Sequence, residues 1–194
     1  NFKKSFGDHK VNALLGYEAK QTYYEGFNAS GSELAFDNFN YRLLQNVNPA
    51  TFRMSSYRGE HNVVSQFFQT NYSYNDKYLV SATVRRDGSS RFIENKYGIF
   101  PSASVGWRLS KESFMDNVSF ISDLKLRASY GVLGNNEVGG DYPGFSNFST
   151  GVDAANYSIN GANNSTTTGF EQSSTGNPKL KWESTAVTNI GFDA

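Results

Sequence analysis

From Tyr97 to Leu109 the chain alternates with a period of two. Tyr97, Ile99, Pro101, Ala103, Val105, Trp107 and Leu109 take one parity, and Gly98, Phe100, Ser102, Ser104, Gly106 and Arg108 take the other. Successive side chains of an extended strand point to opposite faces, so this pattern requires a strand with one apolar and one mostly polar side. Pro101 cannot donate to a ladder, which predicts a bulge or a rim position there. The alternation recurs along the chain. Strands are expected over about 9–24, 61–74, 77–87, 97–109, 122–134 and 180–194, with long loops over about 25–60 and 135–179. Asn75-Asp76 is a two-residue hairpin turn, and 110–121 should hold a short helical turn capped by Ser110, with Phe114, Met115 and Phe120 folded inward.

Three features favour a transmembrane antiparallel β-barrel over a sandwich with the same apolar face as its core. The strands run about 11–16 residues, against about 5–6 in most globular sheets and about 9–11 for a tilted membrane span. Connectors of roughly 35, 9 and 45 residues alternate with connectors of about 2 and 12, which puts short turns on one side and long loops on the other. Charge is also sorted by face. Glu18, Lys20, Arg85, Arg108, Lys125, Arg127, Lys181, Glu183 and Asp193 all oppose the apolar parity. A lysine or arginine facing lipid at mid-bilayer costs about 2–4 kcal/mol, whereas a wet lumen accepts it. Aromatics add two girdles: Tyr72, Tyr74, Tyr78 and Trp107 toward the short turns, and Tyr23, Tyr97, Tyr130 and Trp182 toward the long loops. No apolar run approaches the roughly 18 residues of a transmembrane helix, which a barrel does not need. The chain opens at Asn1 in mid-pattern, so all 194 residues are read as part of one larger barrel domain.

The sequence argues against several kinds of chemistry. Net charge is zero, which gives no reason to expect a nucleic-acid partner. There is no cysteine, and the two histidines, His9 and His61, lack companions at metal-ligand spacing. Gly-Val-Leu-Gly-Asn-Asn-Glu-Val-Gly-Gly lacks the strand-to-helix setting of a phosphate loop. No catalytic, metal or cofactor residues are assigned, and no enzymatic activity is expected. Arg-Arg-Asp-Gly-Ser-Ser-Arg is read as a hairpin tip at the outer rim, with Arg86 and Arg91 reaching water or nearby acceptors. Arg85, Arg108, Lys125, Arg127, Lys181 and Glu183 are the candidate lumen-lining residues. Tyr142, Phe145, Phe148 and Tyr157, aromatics on a polar loop, are the candidate ligand contacts; each would stack on a sugar ring or peptide side chain for around a kcal/mol. Packing of the loop onto its neighbours is their competing role.

Four blocks, NYSYNDKYLVSATVRRDGSSRF, YGIFPSASVGWRLSKESFM, ISDLKLRASYGVLGN and NPKLKWESTAVTNIGFD, stand in this order in the chain. They resemble consecutive segments of the SusC/RagA family of TonB-dependent outer-membrane transporters of Bacteroidota, and FGDHKVNALLGYEAKQTYYEGFNASGS is similar to the segment before them. The resemblance implies a multi-pass barrel of about 22 strands with a plugged lumen, of which this chain would supply about six. It also implies energy from TonB through a segment absent here, a SusD-like surface lipoprotein over the outer mouth, outer-membrane lipid around the wall, and oligosaccharide or peptide cargo. The loop aromatics would then meet cargo or pack against the lipoprotein lid. Two other readings remain open at this level: a passive or structural barrel subunit of an envelope assembly, and a soluble sugar-binding β-sandwich.

Overall fold

The structure, a computed structural model, describes residues 1–36, 38–116, 121–150, 156–161 and 166–194. In chain order the strands are β1 (Phe2–Phe6), β2 (His9–Ser30), β3 (Arg53–Tyr74), β4 (Tyr78–Ser89), β5 (Tyr97–Arg108), β6 (Lys125–Asn135), four short strands β7 (Asn147–Ser149), β8 (Tyr157–Ser158), β9 (Thr166–Thr167) and β10 (Glu171–Ser174), and finally β11 (Glu183–Asp193). A seven-stranded sheet has the order β1-β2-β3-β4-β5-β6-β11, so sequence neighbours are spatial neighbours throughout, except that the long loop is stepped over between β6 and β11. β10 pairs with β7 and β8 with β9 in two small separate sheets. The chain divides into two compact units, residues 1–20 with 62–194, and residues 21–61.

In the first unit the ladders are antiparallel and continuous. Tyr78 faces Trp107, Val80 faces Val105 and Ala82 faces Ala103 across β4 and β5. Trp107 then faces Leu126 and Val105 faces Ala128 across β5 and β6, and Ala128 faces Ile190 across β6 and β11. One parity is therefore mainly apolar from strand to strand, with Arg86 on β4 and Lys4 on the edge strand β1 as its charged members. It is also open: Leu15, Val105, Tyr130, Phe192 and Ile190 are all exposed, Ile190 at 85 %. A strip of large apolar side chains this wide, facing outward, requires a nonaqueous neighbour. The opposite parity is polar and concave. Side chains all the way from β1 at one edge to β11 at the other, among them Lys3, Lys10, Ser81, Ser104, Arg127 and Asn189, line a single hollow of about 900 Å³.

The turns follow from local chemistry. Asn75 and Asp76 both have positive φ, 50° and 51°, the signature of the primed hairpin turns whose twist suits antiparallel strands. The Lys77 amide closes the turn on the Tyr74 carbonyl, and the Asn75 amide donates to Asp8 in the neighbouring hairpin turn. Pro101 makes no bulge against β4, where it faces Val84 in an unbroken register. The pairing of β5 with β6 begins one residue later, at Ser102 and Gly131. Proline thus sits where β5 parts from β6 and no donor is required on that side.

Several sequence expectations need correcting. The strand expected over 9–24 runs on to Ser30, and the one expected over 61–74 begins at Arg53, so much of the expected 25–60 loop is strand. Both extensions are exposed at almost every residue, so neither face is buried and no period of two develops. Residues 109–115 form two 3₁₀ turns, Leu109–Lys111 and Ser113–Met115, in which Ser110 is internal and Phe114 is exposed. Phe120 lies outside the described residues. The last strand starts at Glu183, later than expected.

The second unit, residues 21–61, is a hairpin with a folded tip. Gln21 donates to Glu60 at 2.7 Å, and Gly26 leaves the space that the Tyr57 ring occupies. Three 3₁₀ turns cross the tip, Phe39–Tyr41, Leu44–Asn46 and Pro49–Thr51. Asn38 and Asn48 cap two of them by accepting from the amides of Asn40 and Ala50. Val47 is buried against Gly31, and the Thr51 hydroxyl is bonded to both backbone groups of Ser32.

Candidate functional site

The polar face of the first unit carries the charged residues singled out in the sequence. Arg85 on β4 is the centre of one network. Its Nε donates to both Asp87 oxygens at 2.7 and 3.0 Å, and its Nη2 donates to the Ser65 hydroxyl at 2.7 Å and to Glu18 at 3.1 Å. The guanidinium also lies 5.6 Å from the Phe67 ring centre, and that ring fills the space over Gly16 on β2. Side chains of three strands, β2, β3 and β4, are tied across the sheet by one arginine fork.

Further along the same face, Lys125 and Arg127 on β6 both reach Asp193 on β11, at 2.7 and 3.3 Å. Arg108 lies 3.5 Å from Asp123, whose carboxyl is held below its ordinary range, first by the Ser110 hydroxyl donating at 2.6 Å and then by Arg108 and Lys125 nearby. Glu183 accepts from Asn135 at 3.1 Å. Arg85, Arg108, Lys125, Arg127 and Glu183 therefore share one face, cross-linked to neighbouring strands. Lys181 does not join them: it precedes β11, outside the ladder, and is exposed.

At the long-loop end this face is closed by Phe100, which has the polar parity, and by Trp182, which the sequence pattern places elsewhere. The Phe100 ring lies flat across Gly98 and Gly134, where no side chain competes for the space. Trp182, expected in the outer aromatic girdle, instead packs on Phe100 at 5.3 Å and on Phe92 at 5.6 Å between ring centres. Its indole N–H donates to the Lys96 carbonyl at 3.0 Å. Phe92 is 1 % exposed, the most buried apolar side chain among the described residues. Arg91, expected at a hairpin tip reaching water or nearby acceptors, is also buried and meets protein acceptors. It donates to the Asn136 carbonyl at 3.1 Å and pairs with Glu137 at 3.0 Å and Asp141 at 3.7 Å. The 88–96 loop thus folds inward, held to the 136–146 and 177–182 segments. The sequence signal was present in Phe100, a large ring among glycines and serines on the polar parity.

Of the four loop aromatics, the structure brings two together. Tyr142 and Phe145 meet edge to face with centres 6.4 Å apart. Phe148 lies on β7 and Tyr157 on β8, in different small sheets. All four are exposed. Among the described residues no group of three His, Cys, Asp or Glu is placed to hold a metal.

The comparisons with known proteins agree with this geometry. The family model described as TonB dependent receptor-like, beta-barrel, matches residues 2–193. TonB-dependent receptor P39 of Formosa agariphila is 36% identical over 196 residues, covering 100% of this chain and 18% of its own length. TonB-dependent receptor SusC of Bacteroides thetaiotaomicron is 32% identical, with 98% of this chain and 18% of that protein aligned. Among solved structures, the RagAB peptide transporter superposes with a TM-score of 0.74 at 28% identity, over 98% of this chain and 20% of that one. The chain spans about a fifth of the length of the relatives it matches.

Proposed function

Because this chain belongs to the TonB-dependent receptor β-barrel family, we propose that it is a section of outer-membrane barrel wall in a transporter importing a bulky nutrient, an oligosaccharide or a peptide, with energy supplied through TonB. The observation that carries this reading is the sorting of the sheet's two faces. The open face is apolar from Leu15 to Ile190, as a lipid-facing wall requires. The concave face is lined by serines, asparagines and cross-linked charges, as a water-filled lumen requires. A soluble sandwich would bury the apolar face, and here that face is the open one.

On this reading residues 1–194 form part of one transmembrane barrel domain. Arg85, Arg108, Lys125, Arg127 and Glu183 line the lumen, where their ion pairs hold the wall and leave a polar surface for cargo to pass. Lys181 sits at the mouth. Tyr142, Phe145, Phe148 and Tyr157 are offered by the outer loops to cargo or to a SusD-like lipoprotein closing the mouth. The RagAB neighbour is described as a peptide transporter, which favours peptide, and oligosaccharide is what the SusC/RagA resemblance of the sequence implies.

Uptake by cells carrying the full-length protein tests the proposal. Labelled oligosaccharide and peptide pools should enter only when both the protein and TonB are present. Uptake that persists without TonB would mean a passive pore, and a full-length protein that fails to fractionate with the outer membrane would remove the barrel reading altogether.

A further inference from the structure

Arg86 is on the wrong face for a charge. It follows Arg85 in β4, so it points to the apolar side, where it faces Ile99 and lies next to Val84 and Pro101. In the first unit's β2 to β6 and β11, the parity that Arg86 shares holds no other lysine or arginine and no carboxylate. Among the described residues no acid pairs with it. Its Nη1 donates instead to the Gln66 side chain at 3.2 Å, and its guanidinium carbon lies 3.8 Å from the centre of the Tyr97 ring. The ring can lie there because residue 88, directly opposite Tyr97, is a glycine; a Cβ at Gly88 would collide with the Tyr97 ring edge. The Gly of Arg-Arg-Asp-Gly and the Tyr that opens β5 thus build a platform for one cation on an otherwise apolar surface.

The depth of that platform suggests its ligand. Tyr78 stacks between Tyr74 and Trp107 in the aromatic row at the short-turn end. Arg86 is eight residues further along β4, about 27 Å of strand, or about 20 Å of height at barrel tilt. The apolar band of such barrels is about 25 Å tall. Arg86 therefore comes up at the outer edge of the band, where lipid headgroups begin. A stacked guanidinium keeps its remaining N–H groups in a planar fork, the arrangement that matches phosphate oxygens. We propose that Arg86, seated on Tyr97 and tied to Gln66, is a binding site for the phosphate of an outer-leaflet lipid headgroup. A site of this kind would anchor the wall in register with the leaflet, and it gives the two adjacent arginines opposite tasks, one for the lumen network and one for lipid.

The proposal rests on the membrane-barrel reading, and its test separates the two. The full-length protein is reconstituted in phosphatidylcholine nanodiscs doped with lipid A, extracted in mild detergent, and the lipid A retained per barrel is counted by mass spectrometry. Wild type should retain about fivefold more than Arg86→Gln, the factor expected for one basic residue at an anionic surface. Arg86→Lys should fall between, since it keeps the charge and loses the fork. Millimolar inorganic phosphate should not displace the lipid; displacement would make this a site for any small anion and overturn the lipid assignment. Equal retention by wild type and Arg86→Gln would overturn the proposal while leaving the barrel intact. Should Arg86→Gln fail to assemble, Tyr97→Leu decides: it removes the platform and should lower retention, and unchanged retention sinks the idea. Failure of the wild-type protein to enter the nanodisc at all would instead count against the barrel.

Discussion

The short-turn end and the long-loop end of the first unit's sheet are held by different forces. At the short turns, partly exposed carboxylates act as staples. Asp76 accepts from Lys10 at 2.6 and 2.8 Å, and Glu112 collects the Lys77 ammonium, the Tyr78 hydroxyl and the Trp107 indole N–H within 3.1 Å. At the long loops, Phe92, Phe100 and Trp182 pack ring against ring beside a buried Arg91. Exposed ion pairs contribute about 0–1 kcal/mol each, whereas a buried aromatic side chain is worth several. The loop end, which a reading of connectors alone would take as the loose end of the unit, is thus the one with a core of its own.

The sharpest way to break that comparison is Phe92→Ala. Removing a fully buried ring costs about 3–5 kcal/mol, and here the loss should be local. Hydrogen exchange in the full-length protein should speed up across 88–96 and 177–182 while the Asn75 and Lys77 turn amides stay protected. Uniform acceleration at both ends would show that the aromatic cluster is not an independent unit.

Next in size is the contrast between the faces. Val105→Arg places a cation on the apolar face and should cost about 2–4 kcal/mol if it meets lipid near mid-bilayer, lowering the yield of heat-modifiable, assembled barrel. Ser104→Arg, one residue away, extends into the hollow where Ser104 now shares a 2.6 Å hydroxyl contact with Ser81, and assembly should be nearly unchanged. Equal yields from the two variants would reverse the assignment of the faces.

These two variants also mark what was legible in the sequence. The strands that bury or wet one face consistently, β4, β5 and β6, announce themselves by parity, and so does the turn at Asn75-Asp76, whose residue types suit positive φ. Three of the four SusC/RagA-like blocks lie on these same elements. What the sequence did not disclose depends on contacts between distant segments. Trp182 has the parity of a girdle residue only if the last strand already includes it; in the fold the strand begins at Glu183, and the indole turns to Lys96, which is 86 positions away. Arg91 looks like a hydrated loop cation until residues 136–141 supply its partners. The exposed ends of β2 and β3 carry no period because no buried face imposes one.

A smaller effect probes how tightly the loop cluster is fitted. A methyl at Gly134 would be driven into the Phe100 ring, so Gly134→Ala should cost about 1–3 kcal/mol through displacement of that ring. Gly139→Ala makes a useful partner variant, since a Cβ there meets nothing and any cost arises from its φ of +79° alone. Faster exchange at the Trp182 indole in the first variant and not in the second would place the strain in the aromatic stack.

The smallest effect belongs to the short-turn staples and is set by pH. The Glu112 carboxyl is held below its ordinary value of 4.5, first by the Trp107 indole N–H, then by the Tyr78 hydroxyl and Lys77; Asp76 is lowered from 3.8, first by Lys10. A carboxyl whose folded pKa is depressed stabilises the fold fully above its unfolded value, and that contribution is lost as pH falls through the folded one. The contributions of these two carboxylates should therefore stay constant between neutral pH and about 5. Below 4.5 the Trp107 indole N–H resonance of selectively labelled protein should shift as Glu112 takes up a proton, and Glu112→Gln should show no such transition. The Trp182 indole bonds to a backbone carbonyl, which does not titrate, so its resonance should stay constant over the same range. A matching shift at Trp182 would mean that protonation at the stapled end propagates to the packed one, and that the two ends are coupled.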